Sequence, residues 1–171
     1  WARPVPRPHR FTCVPPMQHR APMHRPSCWT LADMPPDAAT LAALHARCFT
    51  TPPPWSAAAF ATLLADPACV VEHGAHGFAI ARIALDEAEL LTICIAPESQ
   101  NQGAGWRLLS ALHSRLHSLG VRQVFLEVAA NNSPARALYA ASGYGAAGIR
   151  PKYYISPEKT AVDALILRRP L

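Results

Sequence analysis

Apolar residues change their period several times along the chain, and each change marks an element. Leu41, Leu44 and Cys48 recur at helical spacing and predict a helix over Asp37 to Phe49, broken by Thr51 to Pro54. Ser56 is a good N-cap for a second helix, Ala57 to Ala65, which ends near Asp66-Pro67. Cys69 to Glu72 and Phe78 to Leu85 alternate as paired strands, with His73 to Gly77 as their turn. Asp86-Glu87 makes the next turn, and a strand over Leu90 to Ile95 is closed by Pro97. Leu108, Leu109, Leu112, Leu116 and Leu119 then form one stripe of a helix from about Ala104 to Leu119. Val121 to Val128 is rich in β-branched and aromatic residues and predicts a strand. Ser133 caps a helix whose first position is Pro134 and which Gly143 ends. Tyr144 to Ile149 and Ala164 to Leu167 are the last strands, joined by an irregular loop. With a short strand at Trp29 to Leu31, the order is β-α-α-β-β-β-α-β-α-β-β, without internal repeats.

The junction between the strand ending at Ile95 and the helix beginning near Ala104 carries the first chemistry. It reads Gln100-Asn101-Gln102-Gly103-Ala104-Gly105. A small-residue turn into a helix offers free N–H groups and the positive end of the helix dipole, which suits a phosphate-bearing ligand. Gly103 and Gly105 would let the backbone approach that ligand closely. A Walker loop is excluded, because Trp106-Arg107 stands where Lys-Ser/Thr is needed. The dinucleotide fingerprint is excluded too, since Leu108 replaces its third glycine.

Composition narrows the picture. Half of the 171 residues are apolar, enough for one domain with a substantial core. No apolar run approaches the length of a membrane span. Cys13, Cys28, Cys48, Cys69 and Cys94 are scattered and form no C-x-x-C pair, so a reducing cytoplasm fits better than a disulfide framework or a zinc site. The net charge of +5 belongs to residues 1–28, which hold five arginines, seven prolines and no acid. Residues 29–171 balance eleven basic against eleven acidic residues, which gives no reason to expect nucleic-acid binding by the folded part. Residues 1–28 are expected to be a disordered Pro/Arg-rich extension, and 29–171 the folded domain. Because the chain starts at Trp1, residues 1–22 are expected to lie outside the natural protein, with translation beginning at Met23.

Four groups of side chains invite a chemical reading. Glu127 sits in Val124-Phe125-Leu126-Glu127-Val128, where alternation sets Phe125 and Glu127 on the face opposite Val124, Leu126 and Val128. A carboxylate in so apolar a strand is either solvated or paired, or it is a general base tuned by its surroundings. Tyr139, on the helix after Pro134, is a packing residue or a proton donor, and Asn132 a turn residue or a ligand contact. Tyr153 and Tyr154 fall in the loop between the last strands, between Pro151 and Pro157. His113 and His117 are four apart but lack a third ligand, and are placed on the solvated face of their helix. His73 and His76 flank a turn and carry no signal.

The element order together with Gln-x-x-Gly-x-Gly resembles the GNAT N-acetyltransferases. Leu91-Thr92-Ile93-Cys94-Ile95-Ala96-Pro97-Glu98, Leu126-Glu127-Val128, Asn132-x-x-Ala135-x-x-Leu138-Tyr139, Gly143-Tyr144 and Arg150-Pro151-Lys152-Tyr153-Tyr154 with Asp163-Ala164 resemble its RimI subfamily. That subfamily acetylates the N-terminal alanine of small-subunit ribosomal protein eighteen. The resemblance implies an α/β (α+β) fold, a mixed, mostly antiparallel sheet with splayed central strands and flanking helices. It implies acetyl-CoA as co-substrate, a protein N-terminus as partner, and no metal. Gln100 to Gly105, through the amides of Gln102, Gly103, Ala104 and Gly105, would hold the pyrophosphate. Asn132 would contact the pantetheine arm, lying between the splayed strands, and a backbone N–H within Ile93-Cys94-Ile95 would polarise the thioester carbonyl. Glu127 would be the base, Tyr139 the acid, and Tyr153 and Tyr154 would wall the acceptor slot. Val162 and Leu167 depart from the subfamily, which commonly has Glu and Met there. A small-molecule amine or a broader set of protein N-termini are the alternative acceptors.

Overall fold

The computed structural model describes residues 36–49, 53–155 and 160–171. The expected strand at 29–31 and the basic extension lie outside those residues. Within them the elements follow the expected order. They are α1 (Ala38–Cys48), α2 (Ala57–Ala65), β1 (Cys69–Gly74), β2 (Gly77–Ala84) and β3 (Glu87–Ile95). A 3-10 turn (Pro97–Ser99) follows, and then α3 (Ala104–Ser118), β4 (Gln123–Ala129), α4 (Ser133–Ala141), β5 (Gly145–Ile155) and β6 (Ala161–Pro170).

Caps explain the helix starts. Asp37 accepts from the Thr40 N–H and Ser56 from the Ala59 N–H, each filling one of the vacant donors of a first turn. The α4 cap is Asn132, not Ser133: its Oδ1 accepts from the Ala135 N–H at 3.2 Å, which moves Pro134 one place into the helix.

The six strands form one sheet in the order β1-β2-β3-β4-β6-β5. Every neighbouring pair is antiparallel except β3 and β4. The α3 stripe of Leu108, Leu109, Leu112 and Leu116 buries against Ala79, Ala81, Leu90, Val124, Leu126 and Val128 on one face. Each such leucine contributes about 1.5–3 kcal/mol of burial. On the other face Leu41, Phe60 and Leu63 cover Phe78, Ile80 and Cys94. Leu119 leaves the stripe and is half exposed, because α3 stops at Ser118.

Two departures shape the site. First, β3 pairs with β4 only from Glu87↔Gln123 to Leu90↔Leu126. Against β2, Ala81 faces Leu90 and Ile80 faces Thr92, so Leu91 is an extra residue. Such a bulge bends the strand, and here it coincides with the point where β3 and β4 part. Second, the expected loop after Ile149 is largely strand: β5 runs on to Ile155, so Tyr153 and Tyr154 belong to it. The register breaks between Arg150 and Tyr154. Pro151, which has no N–H to give a ladder, lies in that bulge, and Lys152 has φ 55 with its N–H donated to Asp163 Oδ1 at 2.8 Å.

Candidate active site

Where β3 and β4 separate, a cleft of about 810 Å³ opens. One set of lining residues comes from the start of α3 and the β4–α4 turn: Gln100, Asn101, Gly103, Gly105, Trp106, Asn131 and Asn132. Another set gathers His45, Cys48, Phe49, Trp55, Thr92, Glu127, Tyr139, Tyr154 and Val162 from segments far apart in sequence. Ile93 and Ile95 line the β3 edge.

On the α3 side the backbone carries the chemistry. Gly103 is the N-cap at φ 75, with no side chain capping the first turn, so the leading N–H groups of a 15-residue helix are open to an anion. The two glycines have different reasons. Gly103 provides the left-handed turn. A Cβ on Gly105 would sit 3.2 Å from Leu138 Cδ2 and 3.6 Å from Ile95 Cγ1, so this glycine serves close packing between α3, α4 and β3. The glutamines brace the loop: Gln100 Nε2 donates to the Ile95 carbonyl at 3.0 Å and Gln102 Nε2 to the Glu98 carbonyl at 2.9 Å. Arg107 lays a guanidinium nitrogen 3.1 Å from where a Gly103 side chain would begin.

The β3 edge has a defined polarity. The Ala96 N–H donates to the His76 carbonyl across the β1–β2 turn, while the Ile95 carbonyl accepts from Gln100 and from the Cys48 thiol. Successive strand residues point their backbone groups to opposite edges, so the Ile95 amide faces the cleft.

On the other side Glu127 falls where alternation puts it, off the buried row of Val124, Leu126 and Val128. Its carboxylate is largely buried and is paired, Oε1 to Arg150 Nε at 2.9 Å. Arg150 also stands over the Tyr153 ring, 5.5 Å from its centroid, and Tyr153 meets Tyr154 edge-on at 5.0 Å. Tyr139 is buried and packs edge-on against Tyr144 at 5.6 Å. Burial, with Tyr154 adding to it, pushes the Tyr139 phenol well above its ordinary range, so it keeps its proton.

Cys94, Gln102, Ala104 and Tyr153 do not line the cleft. Cys94 is buried on the α1/α2 face, Ala104 is packed, Gln102 braces the 3-10 turn and Tyr153 stands behind Tyr154. His113 is not solvated but 4 % exposed, between Tyr144 Oη at 2.8 Å and an Arg169 guanidinium nitrogen at 2.6 Å. Among the described residues no group of three metal-binding side chains converges, and no helix is long and apolar enough to cross a membrane.

Sequence reasoning missed His45, Phe49 and Trp55. The His45 ring stacks on Phe49 at 4.1 Å and accepts from the Trp55 N–H, closing the cleft with an aromatic wall. Their only sequence signal is an aromatic cluster around the Pro-rich break.

Residues 38–144 match the acetyltransferase (GNAT) family. The chain belongs to this family. It is thus an N-acetyltransferase, and acetyl-CoA is the donor of its class. The chain is 37% identical to the [ribosomal protein bS18]-alanine N-acetyltransferase of Escherichia coli strain K12 over 122 residues, which is 69% of this chain and 82% of that one. It is 41% identical to the protein of the same name from Haemophilus influenzae over 91 residues, covering 53% and 62%. The crystal structure of the ribosomal-protein-S18-alanine N-acetyltransferase from Escherichia coli superposes with a TM-score of 0.71 at 32% identity, over 84% of this chain and 91% of that one. The GNAT sheet is the mixed, splayed one expected from the sequence.

Proposed function

We propose that this GNAT enzyme moves the acetyl group of acetyl-CoA onto the α-amine of a protein N-terminus in the cytoplasm, with the N-terminal alanine of ribosomal protein S18 as its acceptor. The observation that carries the reading is that Glu127 and Tyr139 line one cleft, in a chain 37% identical to a bS18-alanine N-acetyltransferase. The Gly103–Gly105 turn and the open first turn of α3 hold the pyrophosphate. Asn132, whose side chain is spent on the α4 cap, stands beside the pantetheine path. The Ile95 amide donates to the thioester oxygen and stabilises the oxyanion as the amine attacks. Glu127 takes a proton from the amine, the C–N bond forms and the C–S bond breaks. Tyr139, held neutral, gives its proton to the departing sulfur. An α-amine with a pKa of about 8 is roughly a tenth neutral at pH 7, so the demand on Glu127 is modest. Tyr154, with Tyr153 supporting it, and the His45–Trp55 wall flank the acceptor.

A second reading, broader protein N-termini, is favoured by Val162, which puts an apolar side chain on the cleft wall. Transfer to two peptides with the S18 N-terminal sequence tests the proposal, one with a free α-amine and one with it blocked. Release of CoA with the free peptide alone is expected. Turnover on neither, with acetyl-CoA bound, would send the search to small amines.

A further inference from the structure

Arg150 is bonded to the proposed base but does not line the cleft. In register it stands opposite Ala164 on β6, while Glu127 stands opposite Ile166, two places along. On β5 the position opposite Ile166 is Gly148, so the row beside the guanidinium lacks bulk. The bulge that begins after Arg150, pinned by Lys152 N–H to Asp163, fixes its place, and the Tyr153 ring backs the guanidinium. A base oriented by a third group in this way recurs in activated nucleophile sites.

The charge has a consequence for the acceptor. A buried carboxylate alone would capture an ammonium ion as an ion pair, with its lone pair blocked by the proton. Paired with Arg150 at 2.9 Å, whose side chain is 44 % exposed, the carboxylate is part of a unit that is neutral as a whole. An amine hydrogen-bonded to Glu127 stands within about 6 Å of the guanidinium, a range at which a like charge disfavours the protonated amine. The acceptor therefore enters neutral. At pH 7 roughly a tenth of an α-amine is neutral, against less than about a thousandth of a lysine side chain.

We propose that Arg150 is a positioning residue: it holds Glu127 at the cleft and keeps protonated amines from occupying the base unproductively. This rests on the N-terminal acetyl-transfer reading above. The test uses the full chain and two peptides, one with a free α-amine and no lysine, the other N-blocked with one lysine. R150M should lower kcat on the α-amine peptide about tenfold and make the lysine peptide an inhibitor of that reaction at about tenfold lower concentration than for the wild type, with KM for acetyl-CoA and the melting temperature unmoved. R150K should restore most of the rate and remove most of the inhibition. An R150M enzyme no more sensitive to the lysine peptide than the wild type, or an R150K enzyme no better than R150M, would overturn this inference alone. A wild type active on neither peptide would overturn the acceptor reading and this inference with it.

Discussion

The two sides of the cleft are built by different means. The α3 side rests mainly on one stretch, Gln100 to Gly105, where the proposed anion site is open backbone and side chains brace it, Gln100 and Gln102 on carbonyls and Arg47 on Glu98 at 2.7 Å. The proposed acceptor side is made of side chains from α1, the α1–α2 connection, β3, β4, α4, β5 and β6, joined by the Glu127–Arg150 pair and by ring contacts. A backbone site tolerates most substitutions and fails only where conformation or close approach demands glycine. A side-chain site changes with the loss of single atoms. Substitutions on one side should therefore leave the other side's measured quantity untouched.

The sharpest break should come from Glu127→Gln, which keeps shape and removes the proposed base. We expect kcat/KM for the peptide to fall about a hundredfold or more, with acetyl-CoA affinity unchanged by calorimetry. A parallel loss of acetyl-CoA affinity would mean that the two sides are not separable. Tyr139→Phe removes one buried oxygen while keeping the ring against Tyr144, so kcat should drop about tenfold to a hundredfold with little change in acetyl-CoA affinity. Equal turnover in that variant would take Tyr139 out of the mechanism. On the α3 side, Gly103→Val forces a β-branched residue to φ 75, at about 1–3 kcal/mol of strain. It should weaken acetyl-CoA several-fold and leave kcat at saturation near wild type; an unchanged affinity would argue against the backbone site.

The smallest effect is on stability. Burial pushes both His45 on α1 and His113 on the buried face of α3 down to about 4. The unfolded chain therefore binds protons that the folded one refuses between about pH 6.5 and 4. Stability from this source is complete above that window and falls as pH drops through it, by up to about 1.4 kcal/mol per pH unit for each histidine. Urea midpoints at pH 7 and 5 should differ in that direction, and His45→Phe should remove part of the slope. A flat profile would place both rings in contact with water.

The same contrast decides what the sequence discloses. Strand, glycine turn and helix are successive, so the α3 side is readable as a pattern of local periods and breaks. Glu127 is legible because alternation along β4 needs only its neighbours. Arg150 is not: its bond to Glu127 depends on the β5–β6 register, and Pro151 and Lys152 read as loop residues although a bulge keeps them within a strand. His113 is partly legible. It sits four residues after Leu109 and three before Leu116, inside the buried stripe, but its polarity suggests solvent. The partners that make burial tolerable, Tyr144 and Arg169, lie 31 and 56 residues away. The His45–Trp55 wall was equally closed to inspection, because nothing local tells an aromatic in a connection that it will face a cleft.

N-terminal acetyl transfer by this enzyme is read most directly by mass spectrometry of intact ribosomal protein S18 after incubation with the enzyme and acetyl-CoA, with the modified residue mapped by fragmentation. A single acetyl group on the N-terminal alanine and none on any lysine is expected. Acetyl groups on lysine side chains, or none at all from an enzyme that binds acetyl-CoA, would contradict it.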